Sequence, residues 1–285
     1  MKASAFIYHR PETIDEAVRL LGEVAPDDGR VIAGGQSLVP IMAFRMARPP
    51  HLIDINRIAG LDRLDTQDGW LRIGARVRHA AFHEGAIAGP TGALLAHVMR
   101  HIAHHPIRTR GTFCGSLAHA DPASEWCATA AALDGVLVAQ STQGTREIAV
   151  RDYFEAVMTT ALRPDEILVE ARLPLLPAGT LTGFCEFSRR SGDFAIAMVL
   201  VTLRIEEGRI VAPRFTIGGA EAFPRRLAEV EALLTGAAPD MATWRVAGDL
   251  AASLLDPLED SITSGEYRRD LVRALAPRAF QQACA

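Results

Sequence analysis

Lysine is almost absent from this chain: Lys2 is the only one among 30 basic residues. No G-x-x-x-x-G-K-S/T phosphate loop can be built without a lysine there, and no internal Schiff base can form. Cysteine is sparse as well. Cys114, Cys127, Cys185 and Cys284 include no C-x-x-C pair and follow no zinc or iron–sulfur spacing. A disulfide framework is not expected in a cytosolic protein of this size. No run is apolar and long enough to span a bilayer, and the N-terminal residues lack a signal-peptide core, so the cytoplasm is the expected compartment. Basic excess is missing too. A net charge of −4 and a pI near 6.1 offer no electrostatic footprint for nucleic acid or an anionic membrane. Finally, no G-x-G-x-x-G follows a strand, which excludes a Rossmann dinucleotide site.

What is present is an ordinary globular composition, 49% hydrophobic and 22% charged over 285 residues, long enough for two domains. Residues 5–9 read as a strand. Thr13 and Glu16 form a capping box for a helix that runs to Pro26. A strand at 30–33, a helix at 37–48 stopped by Pro49-Pro50 and a strand at 52–55 complete a β-α-β-α-β unit. A hairpin follows (64–66 and 70–75, with Asp68-Gly69 as its turn), then helices from Arg78, over 94–104 and over 123–133. Strands are expected at 136–139, 146–150 and 166–173. The stretch 174–182 is the best linker, dividing domains at 1–176 (subdomains 1–57 and 58–176) and 177–285. Beyond it, strands at 184–189, 195–206 and 209–218 precede helices at 226–234, 241–254 and 264–283. That order indicates a three-stranded antiparallel sheet under helices, and an α+β class overall.

Two glycine-rich segments carry the chemistry. Gly34-Gly35-Gln36-Ser37 lies between a buried strand and a helix start. Its glycines permit positive φ and leave no Cβ between backbone and ligand, while Gln36 and Ser37 supply side-chain donors. A tight βα turn capped by Ser37 explains the same residues equally well. Residues 107–122 hold more: Arg108 and Arg110 flank Thr109, Gly111 and Gly115 bracket Thr112-Phe113-Cys114, and Ser116, His119, Asp121 and Ser124 follow. So many small and polar groups suit a loop that approaches a ligand closely. The bland alternative is a surface loop with a helix capped at Asp121 and Pro122 at its first turn.

Together the segments resemble the paired FAD-binding motifs of the flavoprotein (medium) subunits of molybdenum hydroxylases, the family of aerobic carbon monoxide dehydrogenase and xanthine dehydrogenase. The first motif, approximately A-G-G-x-S-L-x-P-x-M, is matched by Ala33-Gly34-Gly35-Gln36-Ser37-Leu38-Val39-Pro40-Ile41-Met42. The second, approximately I-R-x-x-G-T-(I/V)-G-G-S-(L/I)-x-x-x-D-P, is matched from Ile107 to Pro122, and Ser188-Arg189-Arg190-Ser191-Gly192-Asp193-Phe194-Ala195 resembles the start of the family's C-terminal domain. The resemblance covers essentially the whole chain. It implies a vanillyl-alcohol-oxidase (PCMH) type FAD-binding domain of two α/β subdomains, followed by the small C-terminal domain.

Carried over by position, the resemblance implies that residues 33–37 and 112–116 wrap the FAD pyrophosphate from two sides, drawing in Ile32 and Leu38 as well as Ala33, Gly34, Gly35, Gln36, Ser37, Thr112, Cys114, Gly115 and Ser116. Asp121 and Glu125 fall where members contact the ribityl or ribose hydroxyls. Ile107 and Leu168 fall in apolar positions of the flavin or adenine pocket, with Ile102, Ala103, Ala118 and His119 also beside the cofactor. Phe194 stands where some members place an aromatic near the isoalloxazine ring. Two positions depart from the pattern. Cys114 replaces the first glycine of a G-G pair; either it weakens the phosphate loop or its side chain packs behind it. Cys185-Glu186 occupies the place where some members carry a lysine, so the cationic partner of reduced flavin would be Arg189 or Arg190, or would be missing.

His97, His101 and His104 share one face of the 94–104 helix, but no carboxylate or cysteine completes a metal site; the end of that helix is expected to point at the flavin pocket. Ser116, His119 and Asp121 sit too close together for a catalytic triad. No residue of this chain need act as acid or base, because the cofactor carries the chemistry. The resemblance implies an FAD-binding electron-transfer subunit of a heterotrimeric enzyme. A large subunit would hold the molybdenum cofactor, and a small one two 2Fe–2S clusters; NAD, a quinone or oxygen would be the acceptor and a dimer of heterotrimers the assembly. A free-standing FAD-dependent oxidase or dehydrogenase, or a scaffold that has lost FAD, are the alternatives.

Overall fold

The computed structural model describes residues 2–261 and 263–285. Its first unit is β1 (Ile7–His9), α1 (Ile14–Val24), β2 (Arg30–Ile32), α2 (Leu38–Ala43) and β3 (His51–Asp54). The strands form a parallel sheet in the order β1-β3-β2, so the β-α-β-α-β reading holds. Thr13 caps α1, its Oγ1 accepting from the Glu16 N–H at 3.2 Å. The Glu16 carboxylate accepts from Glu12 N–H at 3.0 Å, one residue further back than a standard capping box. α2 is half its expected length. Arg45 adopts φ +59 and Met46 N–H donates to the Ile41 carbonyl at 3.1 Å, a left-handed helix end that stops α2 before Pro49.

The second unit opens with β4 (Leu64–Gln67) and β5 (Trp70–Gly74). Asp68 and Gly69, both with positive φ, make the hairpin turn that their sequence signals. There follow α3 (Gly89–His101), α4 (His105–Arg108), α5 (Phe113–His119), α6 (Glu125–Ala132), β6 (Val136–Ser141), β7 (Gly144–Ala149), β8 (Phe154–Ala156), β9 (Thr159–Thr160) and β10 (Ile167–Pro174). Among the described residues β4-β5-β10-β6-β7 form one antiparallel sheet, with β8 and β9 a separate pair. Three expectations need correction here. The helix from Arg78 is only a 3-10 turn at His79–Ala81. α3 starts at Gly89, where Pro90 suits its first turn, and stops at His101, so His104 lies outside it. The stretch after Gly111 is no open loop: Thr112 caps α5, its Oγ1 accepting from Gly115 N–H at 3.0 Å.

The third unit contains β11 (Leu181–Phe187), β12 (Ala197–Glu206), β13 (Arg209–Gly218), β14 (Arg225–Arg226), α7 (Ala228–Leu234), α8 (Met241–Leu254) and α9 (Gly265–Cys284). The three expected antiparallel strands are present, and β14 adds a fourth too short to leave a periodic signal. β12 ties this unit to the second one. Its Ala197, Val199, Val201 and Leu203 join a core with Trp244 and Phe280, whose rings stack at 4.3 Å. Met198 and Leu200, on its other face, join the core that holds Trp126, Phe113 and Phe82. A strand buried on both faces fixes the two units against each other. Among the described residues no helix is long and apolar enough to cross a membrane.

Candidate functional site

The two glycine segments meet face to face. A Cβ built on Gly34 would overlap the Arg110 carbonyl oxygen and lie 2.7 Å from the Gly111 Cα, so glycine here serves the contact between the two backbones. Gly35 holds φ +70, a left-handed turn that sends the chain from β2 into α2. The second segment is braced from behind by the stretch after β5. Val77 O accepts from Phe113 N–H at 3.1 Å, and His79 N–H donates to Gly111 O at 3.0 Å.

A polar clamp ties one segment to the other. Asn56 Nδ2 donates to the Ala33 carbonyl at 2.6 Å and to Asp54 Oδ1 at 2.6 Å. Asn56 Oδ1 accepts from Arg78 Nη2 at 2.6 Å, and Arg78 Nη1 donates to the Arg110 carbonyl. Burial, then the neighbouring Arg76 charge, lowers the Arg78 pKa; an arginine in this position stays protonated all the same.

Between and beyond these segments runs a cleft with two chambers. The smaller, about 250 Å³, is lined by Ile32, Ala33, Gly34, Gly35, Leu38, Thr112, Cys114, Gly115, Ala118 and Leu168. Leu168 sits at a β-bulge of β10, where the register against β6 shifts and re-aims the strand. The larger chamber, about 680 Å³, lies against the C-terminal unit and is lined by Ile102, Ala103, Ile107, Asp121, Glu125 and Phe194. Among the described residues Gln36, Ser37, His79, Ser116 and His119 line both chambers, and all five are polar. Every position that the resemblance placed beside the cofactor lines one chamber or the other, whereas Arg108, Arg110 and Arg190 line neither.

Local geometry refines several roles. Gln36 Nε2 donates to the Gly34 carbonyl at 3.0 Å, so the side chain folds back on its own turn. Ser37 does not cap α2 with its side chain. Nor does Asp121 cap α6: that cap is Ser124, while Asp121 Oδ1 accepts from Ala123 N–H at 2.9 Å. Cys114 lies within α5 at ordinary helical φ, its Sγ buried and 3.5 Å from the Ile73 carbonyl. The side chain packs against β5 behind the second glycine segment, and burial pushes its thiol pKa up, away from the reactive thiolate. Ala103 takes a rare φ of +39 beside the larger chamber. Arg108 holds that bend by donating from Nη1 to the carbonyls of Arg100 and Ile102, both at 3.1 Å.

The histidines divide. His97 and His101 sit 5.2 Å apart on α3, both edge-on to Phe184, and His104 packs elsewhere, against Gly192. Among the described residues no group of three or more His, Cys, Asp and Glu side chains could hold a metal ion. His101 Nδ1 lies 3.3 Å from the buried Glu186 carboxylate. Of the two candidate cations, Arg189 lines the larger chamber.

Glu125 is buried in the wall of that chamber. Burial first, then the Glu186 and Asp121 charges, push its carboxyl up to about 8. The folded state therefore holds a proton that the unfolded chain, with an ordinary glutamate near 4.3, releases. Stability contributed by this proton is full below the unfolded value and is lost as pH rises through about 8. For the FAD-free chain, urea unfolding at pH 6 and pH 8.5 is expected to show a loss of about 1 kcal/mol or more that Glu125→Gln reduces.

Known proteins bear directly on this cleft. The profile of the FAD binding domain in molybdopterin dehydrogenase matches residues 3–176, and that of the CO dehydrogenase flavoprotein C-terminal domain matches residues 182–283. The chain belongs to the FAD-binding medium subunits of the molybdenum hydroxylases. It is 38% identical to the nicotine 6-hydroxylase medium subunit of Paenarthrobacter nicotinovorans, covering 99% of each chain. To the carbon monoxide dehydrogenase medium chain of Afipia carboxidovorans the identity is 31%, covering 99% of this chain and 98% of that one. The crystal structure of quinoline 2-oxidoreductase from Pseudomonas putida 86 superposes with a TM-score of 0.94 at 33% identity, over 99% of this chain and 98% of that one. The relatives are subunits of oxidoreductases, which supports the medium-subunit reading over a free-standing oxidase. As a molybdenum-hydroxylase medium subunit the chain is an FAD-binding component of an oxidoreductase complex.

Proposed function

We propose that FAD lies along the cleft with its pyrophosphate at the polar waist, adenosine in the smaller chamber and isoalloxazine in the larger. The five polar residues shared by the chambers carry this reading. The donor set fits the group: the waist offers hydroxyl, amide and imidazole groups to phosphate oxygens, and Gly35 lets the first turn adopt the φ of +70 that leads the chain past it. The smaller chamber has the aliphatic walls (Val31, Ile32, Leu38, Ile55, Leu168) that a purine face requires, and the larger is bordered by Phe194 and Arg189. FAD-contact roles for the residues of both segments, and a division of the chain at 176/177 between the cofactor-holding part and the C-terminal part, belong to this proposal.

Bound flavin supplies the capacity to take electrons singly and release them as a pair. The chain's own part is to orient the ring, exclude water and hold charge near it; Arg189 supplies a cation where the lysine of some members is missing. The assembly we propose contains a large molybdenum-cofactor subunit and a small iron–sulfur subunit, two such heterotrimers forming the native particle in the cytoplasm. Electrons would pass from the 2Fe–2S clusters of the small subunit through FAD to an external acceptor. The absence of cluster-type cysteine spacing in this chain accords with that division of labour. Cys114, buried in a helix, no longer supports a scaffold that has lost FAD.

Reconstitution tests the proposal. The purified chain mixed with FAD and desalted is expected to show flavin absorbance at about one equivalent, and the native enzyme to co-purify with molybdenum- and iron-containing chains. ADP alone should compete with FAD through the waist and smaller chamber. A chain that retains no flavin either alone or in its native complex would overturn the reading.

A further inference from the structure

His79 stands at the waist but in neither glycine motif. We infer that His79 is a neutral hydrogen-bond donor to the bound cofactor, giving its Nε2–H to a pyrophosphate oxygen; the inference rests on the FAD reading above. Three observations converge on it. Trp126 Nε1–H donates to His79 Nδ1 at 2.8 Å. An indole nitrogen can only donate, so Nδ1 must be the bare nitrogen and the proton of the neutral ring sits on Nε2. Trp126 is itself wholly buried, packed at tilted angles against Phe82 and Phe113, which leaves the imidazole little freedom to turn.

The second observation is where Nε2 lies. It rests over Gly111, where a Cβ would overlap it and stand 2.6 Å from Cδ2, so the second segment is glycine at this position to admit the ring. The main chain of His79 is pinned there too, by its N–H to the Gly111 carbonyl. The third is what Nε2 lacks. The ring lines both chambers, and among the described residues its side-chain hydrogen bond is made at Nδ1 and none at Nε2. Its acceptor must therefore come from the cleft that the ring lines. Burial, helped by the Arg78 and Arg108 charges, lowers the ring's pKa to about 4, so the neutral tautomer is the form present at neutral pH.

The neighbours at the waist identify the class of acceptor. Ser37, Ser116, Gln36 and His119 line both chambers, as His79 does. Among the described residues no hydrogen bond engages the hydroxyl of Ser37 or Ser116. A set of hydroxyl, amide and imidazole groups suits an oxygen-rich anion such as a diphosphate better than an aromatic ring.

The test reads the imidazole itself. In the full chain labelled with 15N-histidine, His79 is expected to show the Nε2–H tautomer at pH 7. FAD and ADP should each shift its Nε2–H resonance, whereas riboflavin, which lacks phosphate, should not. His79→Phe is expected to weaken FAD and ADP binding about ten- to a hundredfold, the loss of one hydrogen bond to a charged acceptor. His79→Gln, which keeps an N–H donor near the Nε2 position, should recover part of that loss. If wild-type chain binds neither FAD nor ADP, the FAD reading itself fails. If FAD binds but the His79 resonance stays unmoved, or responds equally to riboflavin, the His79 inference fails while the FAD reading stands. Should His79→Phe not fold, the wild-type resonance decides.

Discussion

Replacing Gly34 by alanine is expected to destabilise the chain by about 1–3 kcal/mol and to leave it without flavin after desalting. The added Cβ meets backbone, the Arg110 carbonyl and the Gly111 Cα, rather than the far end of a flexible side chain. Relief therefore requires one glycine segment to move away from the other. A shift of a few tenths of an ångström at this contact propagates to the waist, because Gly111 also supports His79 and leads directly into the Thr112 cap of α5. Gly22 supplies the contrast. It lies in α1 with Thr142 Cγ2 at 4.0 Å as its nearest neighbour, so Gly22→Ala should stabilise by up to about 1 kcal/mol through helix propensity. The same substitution with opposite signs separates close approach from backbone entropy. Thermal melts of both variants, with flavin absorbance after reconstitution, measure the difference; equal flavin retention by Gly34→Ala and wild type would refute the close-contact account.

The sequence made the glycine segments legible because backbone contacts between loops exclude side chains at fixed positions, and an excluded side chain is visible as glycine. Gly34, Gly111 and Gly115 each mark a place where a side chain is excluded, by different neighbours, and Gly35 marks a left-handed turn. Gly34 serves the facing backbone and Gly111 the His79 ring. Gly115 serves the Thr112 cap, whose Oγ1 would lie 2.6 Å from its Cβ. This is why a segment that reads as loop composition is in fact a capped helix. The Thr13 cap and the Asp68-Gly69 turn were equally readable, since each depends on neighbours in sequence. His79, Asn56 and Arg78 were not. Their roles come from partners 22 to 47 positions away in sequence, and nothing local marks a histidine whose tautomer is set by Trp126. α2 was overestimated because a non-glycine residue, Arg45, takes the left-handed position that glycine normally announces.

The clamp between the segments yields the other large effect. Asn56, the chain's single asparagine, spends both ends of its amide on the site: its Nδ2 holds the Ala33 carbonyl and its Oδ1 orients Arg78, which holds the Arg110 carbonyl. Asn56→Ala and Arg78→Met each remove one link and leave a half-buried partner unsatisfied, an expected loss of about 1–3 kcal/mol apiece. Because either change opens the same chain of bonds, the double variant should cost less than the two combined, with a coupling of about 0.5–3 kcal/mol. Additive losses in urea unfolding would mean that the two residues act separately. Flavin affinity distinguishes their parts further. Asn56→Ala only loosens the segments, whereas Arg78→Met also removes a partly buried positive charge close to the waist, where a diphosphate would lie. Raised salt screens an exposed charge strongly and a partly buried one much less. FAD binding should therefore weaken more in Arg78→Met than in Asn56→Ala, and the gap between them should narrow only modestly at high ionic strength. A gap that closes entirely with salt would place the Arg78 contribution in long-range attraction, leaving the segment contact to Asn56 alone.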